Sequence, residues 1–212
     1  MRSESRSSPD EASLGGCENG AALVEAALVL PILLLVVFML VEVSLYFWTV
    51  SRAEKAVQSG VRRAVVSVPV ALGPGLDRVG GDAWWDGLPP GLRCFPRSES
   101  VSPCPAFAVT CDRTEGCRCS GARCQFRFDE SRLTPILRAM QAVLPELKPE
   151  NVRIAYATNG FGYVGRPLPV TVDVTVSLIG VSYTASLLGD VFGRALPIRA
   201  EARRPSEDLG TP

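Results

Sequence analysis

The stretch AALVEAALVLPILLLVVFMLV, Ala21–Val41, decides how this chain is read, because a single charge, Glu25, interrupts an otherwise apolar run. At ~1.5 Å of rise per residue, about 20 such residues cross the ~30 Å hydrocarbon layer of a bilayer. A buried helix of a soluble domain rarely stays apolar on every face, so the run is read as a transmembrane helix. Pro31 lies inside it and costs the helix a backbone hydrogen bond. Tyr46, Phe47 and Trp48 follow as the aromatic cluster expected at a membrane–water boundary. A secretory signal would carry a shorter apolar core closed by a small-residue cleavage motif. Here the candidate cutting point, Gly20-Ala21, precedes the core instead.

Toward the N-terminus, residues 1–20 form a polar leader that ends in Gly20, and Glu25 stands five residues further on. An ionisable group in hydrocarbon is costly and calls for a partner. The α-amino group released by cutting after Gly20, in the same chain or a neighbouring copy, would supply one. Alternatively the carboxylate reaches the cytoplasmic interface from the first turn, where the positive end of the helix dipole favours it.

Toward the C-terminus, Ala53, Ala56, Val57, Gly60, Val61, Ala64, Val65 and Val68 recur at three- and four-residue steps. They predict a narrow stripe on a helix that Pro69 ends. The small residues suit close packing, either on a partner helix or on the chain's own domain. Residues 69–130 are rich in Pro, Gly and Cys, with turn signals at Gly73-Pro74-Gly75, Gly80-Gly81 and Pro89-Pro90, and no strand or helix is assigned there. Trp84 and Trp85 lie in this stretch and are expected to be buried.

Six cysteines, Cys94, Cys104, Cys111, Cys117, Cys119 and Cys124, fall in the same stretch, while Cys17 belongs to the leader. An even set fits a disulfide framework, which persists in oxidising compartments. Zinc sites favour C-x2-4-C pairs, and the only tight pair here is Cys117-x-Cys119. Six cysteines allow 15 pairings, and the spacing selects none of them.

Ser131–Leu147 predicts an amphipathic helix with Thr134 as N-cap and Pro135 at the first helical position. Leu133, Ile136, Leu137, Met140, Val143 and Leu144 form its apolar side. Alternation then predicts strands over 152–157, 170–178 and 198–203. A small antiparallel sheet with one face covered by helix fits these three. Gly160-Phe161-Gly162-Tyr163-Val164-Gly165 matches GxGxxG, but Arg166-Pro167-Leu168-Pro169 leads into another strand. The glycines therefore open no helix N-terminus for a pyrophosphate, and the segment is read as a flexible connection.

The chain has 22 basic and 22 acidic residues and no histidine. A balanced charge offers no basic patch for nucleic acid. Without histidine there is no Ser-His-Asp, Cys-His or HExxH chemistry, and no paired-carboxylate motif replaces it. The residues predict no catalytic site, cofactor, metal or small-molecule substrate.

The run from Gly20 to Val65, with Glu25, the Leu30-Pro31 step, the aliphatic stretch, Glu42 and the alanine-rich helix ending near Gly60-Val61-Arg62-Arg63, resembles the N-terminal signature of TadE-like proteins, pseudopilins of the Flp/Tad pilus system. The resemblance implies cleavage by a prepilin peptidase, with Gly20, Ala21 and Glu25 as processing determinants. It also implies a non-enzymatic role in pilus assembly or an associated secretion process, alongside other pilus-assembly or pseudopilin subunits. The leader departs from the pattern by having Cys17-Glu18-Asn19, and no basic residue, just before Gly20.

Cations near the span are Arg2 and Arg6 before it, against Arg52, Lys55, Arg62 and Arg63 after it. That count alone would place the C-terminal side in the cytoplasm. The cysteines and the resemblance favour a single-pass protein of the inner (cytoplasmic) membrane with its C-terminal portion outside. The expected fold is α+β: a long N-terminal transmembrane helix, then a small antiparallel sheet with helix packed on one face and a disulfide-rich loop region. The divisions are leader 1–20, span and amphipathic extension 21–68, Pro/Gly/Cys-rich region 69–130, α+β module 131–204 and a flexible tail 205–212. The alternative is a membrane-anchored extracytoplasmic binding or sensory domain unrelated to pili.

Overall fold

A computed structural model describes residues 15–76, 84–94, 104–166, 169–185, 195–206 and 209 of the chain. Most of the polar leader, residues 1–14, lies outside them. The first element, α1, is one helix over Gly15–Ala64, with Pro31 inside it and Arg62 and Arg63 in its last turn. Cations suit that position because the final carbonyls form the negative end of the dipole.

Two kinds of surface divide α1. From Gly20 through Val41 every residue is exposed, and the most apolar window has a mean hydropathy of 2.9 with none of it buried. From Ala53 onward the predicted stripe is covered through Val65: Ala53, Ala56, Val57, Gly60, Val61, Ala64 and Val65 are all buried, while Val68, past the end of the helix, is half-buried. The cover is the chain's own domain, so of the two packing partners open to the stripe the structure shows this one. Gly60 explains why the residues there are small. A Cβ at this position would stand 2.7 Å from both Cγ and Sδ of the buried Met140, inside van der Waals contact. The helix stops at Ala64, four residues before the expected end.

The second helix, α2, spans Glu130–Gln141. Its N-cap is Asp129 rather than Thr134, and Pro135 lies within the helix rather than at its start. Asp129 wins because one carboxylate oxygen accepts from both Ser131 N (3.0 Å) and Ser131 Oγ (2.6 Å), satisfying a backbone donor that the helix start leaves open. These bonds from Ser131 are the largest influence on the Asp129 carboxyl and hold it below its ordinary value. Leu133, Ile136, Leu137 and Met140 face the core as expected. Arg52 of α1 donates to Val143 O at 2.9 and 3.2 Å, and Ser59 Oγ donates to Ala139 O at 3.0 Å. These bonds tie the two helices together near the carbonyl end of α2.

Nine strands among the described residues complete the fold. Short β1 (Ala71–Leu72) and β4 (Arg127–Phe128) pair with each other, as do β7 (Ser182–Tyr183) and β8 (Leu196–Pro197). The main sheet contains β2 (Phe107–Asp112), β3 (Gly116–Gly121), β5 (Val152–Thr158), β6 (Val172–Leu178) and β9 (Glu201–Pro205). Its order is β3-β2-β5-β6-β9, with antiparallel pairing throughout.

Val109, Ile154, Tyr156, Val174 and Val176 meet across the central strands; α1 packs on the sheet against β6 and β9, and α2 packs against α1. The fold is thus α+β with helix on one face of an antiparallel sheet. Tyr156 is buried, its hydroxyl accepts from Val70 N at 3.1 Å, and burial pushes its phenol well above the usual value.

Two of the five strands, β2 and β3, lie in the stretch to which the sequence assigned none. Phe107, Val109 and Cys111 do alternate inward, but the density of glycine and cysteine around them masks the pattern. At the third expected strand, pairing with β6 begins at Glu201, three residues late. Ile198 N donates instead to Val181 O at 2.9 Å. The tail is tied at its start, since Ser206 N donates to Val172 O at 2.7 Å, and Leu209 is buried.

Candidate functional site

Gly20, Ala21 and Glu25 lie together near the free end of α1, exposed and in helical backbone. A Cβ at Gly20 would meet nothing within 4 Å. Ala21 and Glu25 are one helical turn apart, which sets them on the same face, ~6 Å apart along the axis. A chain beginning at Ala21 would therefore present its terminal cation and the Glu25 carboxylate on one side of the helix. From Ala21 to Val41 every residue other than Glu25 is apolar, so Glu25 is the one charge on that stretch.

The other end of the bare surface is marked by Glu42, which is 6% exposed directly after the exposed Val41. The phenol of Tyr183, on β7, donates to Glu42 Oε1, and its ring packs edge-on against Tyr46 with centroids 5.7 Å apart. This is where the domain first reaches the helix. The sequence marked Glu42 only as part of a family signature. A carboxylate closing an apolar run was the signal that it needed to be covered.

All six predicted cysteines are paired: Cys94 with Cys104, Cys111 with Cys117, and Cys119 with Cys124. Cys111 and Cys117 are direct cross-strand partners in the β2–β3 hairpin. Cys119 on β3 is joined to the segment just past that strand. Each bridge is local, so the three reinforce the hairpin and one long connection rather than joining distant elements.

Asp112 closes the same hairpin and is 3% exposed. Its Oδ1 accepts from Thr114 N (3.0 Å), Thr114 Oγ1 (2.7 Å) and Glu115 N (2.8 Å). Its Oδ2 accepts from Arg153 Nε (3.1 Å) and Nη2 (3.0 Å). Burial pushes the carboxyl up, but these bonds outweigh it and hold the group below its ordinary value. Asp112 is a turn-forming acid with every oxygen occupied. The Asp-x-Thr-Glu-Gly run was a readable turn signal that the surrounding cysteines obscured.

Trp84 and Trp85 are buried as expected. Trp84 packs edge-on against Phe107 at 5.5 Å, and Trp85 Nε1 donates to Arg166 O at 3.0 Å. The GxGxxG segment is a connection between β5 and β6, not the start of a helix. Gly160, Gly162 and Gly165 all take positive φ. Gly162 O and Val164 bond to the backbone of Gly91, Leu92 and Cys94, which pins the loop instead of leaving it loose. An open groove of about 670 Å³ lies where β6 and β9 diverge, lined by Leu178, Ile179, Val181 and Ile198 together with Arg153, Arg199 and Glu201. Arg153 is already committed to Asp112.

Neither the curated proteins nor the solved structures contain a match to this chain. Residues 20–62, the bare helix together with the stripe that enters the domain, match the family described as TadE-like protein, so this segment of the chain is TadE-like.

Proposed function

We propose that the chain is a non-enzymatic, TadE-like pseudopilin, a membrane-anchored component of Flp/Tad pilus assembly or of an associated secretion process. The observation that carries this reading is a single helix with two consecutive surfaces inside one TadE-like segment. Residues 20–41 are bare, apolar on every side and charged only at Glu25, while the stripe over residues 53–62 is built into the domain. Lipid is the surrounding that makes the first surface stable. Prepilin peptidase cuts after Gly20, and the new α-amino group at Ala21 compensates Glu25, in the same chain or in a neighbouring pilus-assembly subunit.

The domain stands outside the cytoplasm, anchored in the inner membrane by α1. Three disulfides support that side, since such bonds persist in oxidising compartments. The cation count beyond the span argues the other way, but its weight is reduced by where three of those four residues sit. Arg52 is held by Val143 O and lies 3.8 Å from Glu146, and Arg62 and Arg63 end a helix that folds with the domain. Long loops and whole domains translocate largely regardless of charge.

The test is the mass of the N-terminal peptide of the full chain extracted from membranes of a host with active prepilin peptidase. A mature terminus at Ala21, lost when Gly20 is replaced by a bulky residue, is the expected result. A chain that keeps Met1 in that host contradicts the reading.

A further inference from the structure

We propose that the β7–β8 pair is a second membrane contact: Tyr183 and Leu196 lie in the bilayer interface beside the helix aromatics, so the domain is seated on the lipid surface and not held away from it. The inference rests on the reading of α1 as a membrane span and adds a surface of the globular domain to it.

Depth along α1 carries the argument. Tyr183 bonds to Glu42 and packs on Tyr46. At ~1.5 Å per residue, Tyr46, Phe47 and Trp48 stand ~6–9 Å farther from the span than Glu42 does. Aromatic belts settle at the level of the lipid headgroups. A side chain that reaches Glu42 is therefore on the membrane side of the belt. Leu196 is the direct cross-strand partner of Tyr183, within about one strand spacing (~5 Å) of it, yet it is 47% exposed. An exposed leucine there, flanked by exposed Ala195 and Pro197, presents an apolar edge where the helix is also apolar.

The chemistry of Glu42 points the same way. A carboxylate at the end of an apolar run, next to hydrocarbon, is costly unless it is covered and hydrogen-bonded. Tyr183 does both: its hydroxyl donates to the carboxylate, and its ring closes over one side. An amphipathic phenol with one wet and one apolar end is suited to that depth.

Lipid, and not another protein, is the occupant argued for by the spread of the exposed groups. Val43, Leu45, Phe47 and Trp48 are all exposed. At ~100° per residue they point to several sides of the helix, leaving only the side of Glu42 and Tyr46 to the domain. A protein partner covers one side, whereas lipid covers all of them, as it does for the continuous bare surface from Gly20 to Val41.

The full chain is reconstituted in phosphatidylcholine vesicles whose acyl chains are brominated near the carbonyl end, and tryptophan emission is compared with unbrominated vesicles. Trp84 and Trp85 are buried in the domain and provide the unquenched baseline. In a Trp48→Phe background, Leu196→Trp is expected to lose emission about as strongly as Trp48 does in the original chain. Ala195→Trp serves as a second probe should the first disturb folding. Quenching of Trp48 with none at either probe overturns the hairpin contact while leaving the span intact. Absence of quenching at Trp48 as well overturns the membrane reading and this inference with it. Probes that stay unquenched and crosslink to a second copy overturn the choice of lipid.

Discussion

Residues 23–41 and residues 53–65 belong to one uninterrupted helix and have opposite relations to their surroundings. The first part carries Leu, Val, Ile, Phe and Met on all sides, and all of them are exposed. The second part confines its apolar groups to a stripe of Ala, Gly and Val, and all of that stripe is buried. Bulk and radial distribution separate the two. Large side chains all round suit a surrounding that fills itself in against any shape, as lipid does. Small side chains on one line suit a fixed neighbour that must come close, as Met140 does at Gly60. The chain changes from one design to the other over about three turns, between Glu42 and Ala53, where Tyr183 makes the first contact.

The two methionines near this comparison offer the largest expected contrast. Met140 is fully buried against Gly60, and Met140→Ala should destabilise the domain by about 2–5 kcal/mol through lost contacts and an unfilled cavity. Met39, on the bare part, is 41% exposed and touches no core, so Met39→Ala should shift domain stability by no more than about 0.5 kcal/mol. Denaturant unfolding of the detergent-extracted chain, followed by the buried tryptophans, measures both. Similar losses at the two sites would mean that the bare part is also covered by protein.

The bridges belong wholly to the covered region, and removing one should act there alone. Replacing both Cys111 and Cys117 by alanine opens a loop with a sequence separation of 6 and should cost about 2–3 kcal/mol by loop-closure entropy. The effect reads out in the same unfolding assay, with membrane association of the chain unchanged.

A smaller effect is expected from acid. The Asp112 carboxyl is depressed in the folded protein, so its contribution is present above the unfolded value of about 3.9 and is lost as pH falls through the folded value. Stability measured from about pH 6 down to about pH 2 should fall more steeply in the original chain than in Asp112→Asn. Equal slopes would show that the hairpin turn does not depend on the ionised carboxylate.

Legibility in the sequence followed the same division. The long apolar part of α1 needed only composition and length, and the stripe from Ala53 to Val65 needed only periodicity, so both were readable. So were β5 and β6, whose valines alternate cleanly, and the six cysteines as a set. The pairing was not readable, because local bridges and long ones leave the same spacing in the chain. Strands β2 and β3 were hidden by cysteine and glycine residues that serve the hairpin's bridges and turns. The cap of α2 was misplaced because Thr134-Pro135 imitates a helix start, while Asp129 and Ser131 make the stronger bonds in three dimensions. Glu42 entered only through the family resemblance, since Tyr183 lies 141 residues away and only the fold brings it to the carboxylate.

The side of the membrane on which the domain stands tests the account most directly. With alkaline phosphatase fused after Pro212, and free thiols blocked before lysis, the account predicts an active fusion and six cysteines, Cys94 through Cys124, protected as disulfides. An inactive fusion whose six cysteines are all alkylated would contradict it.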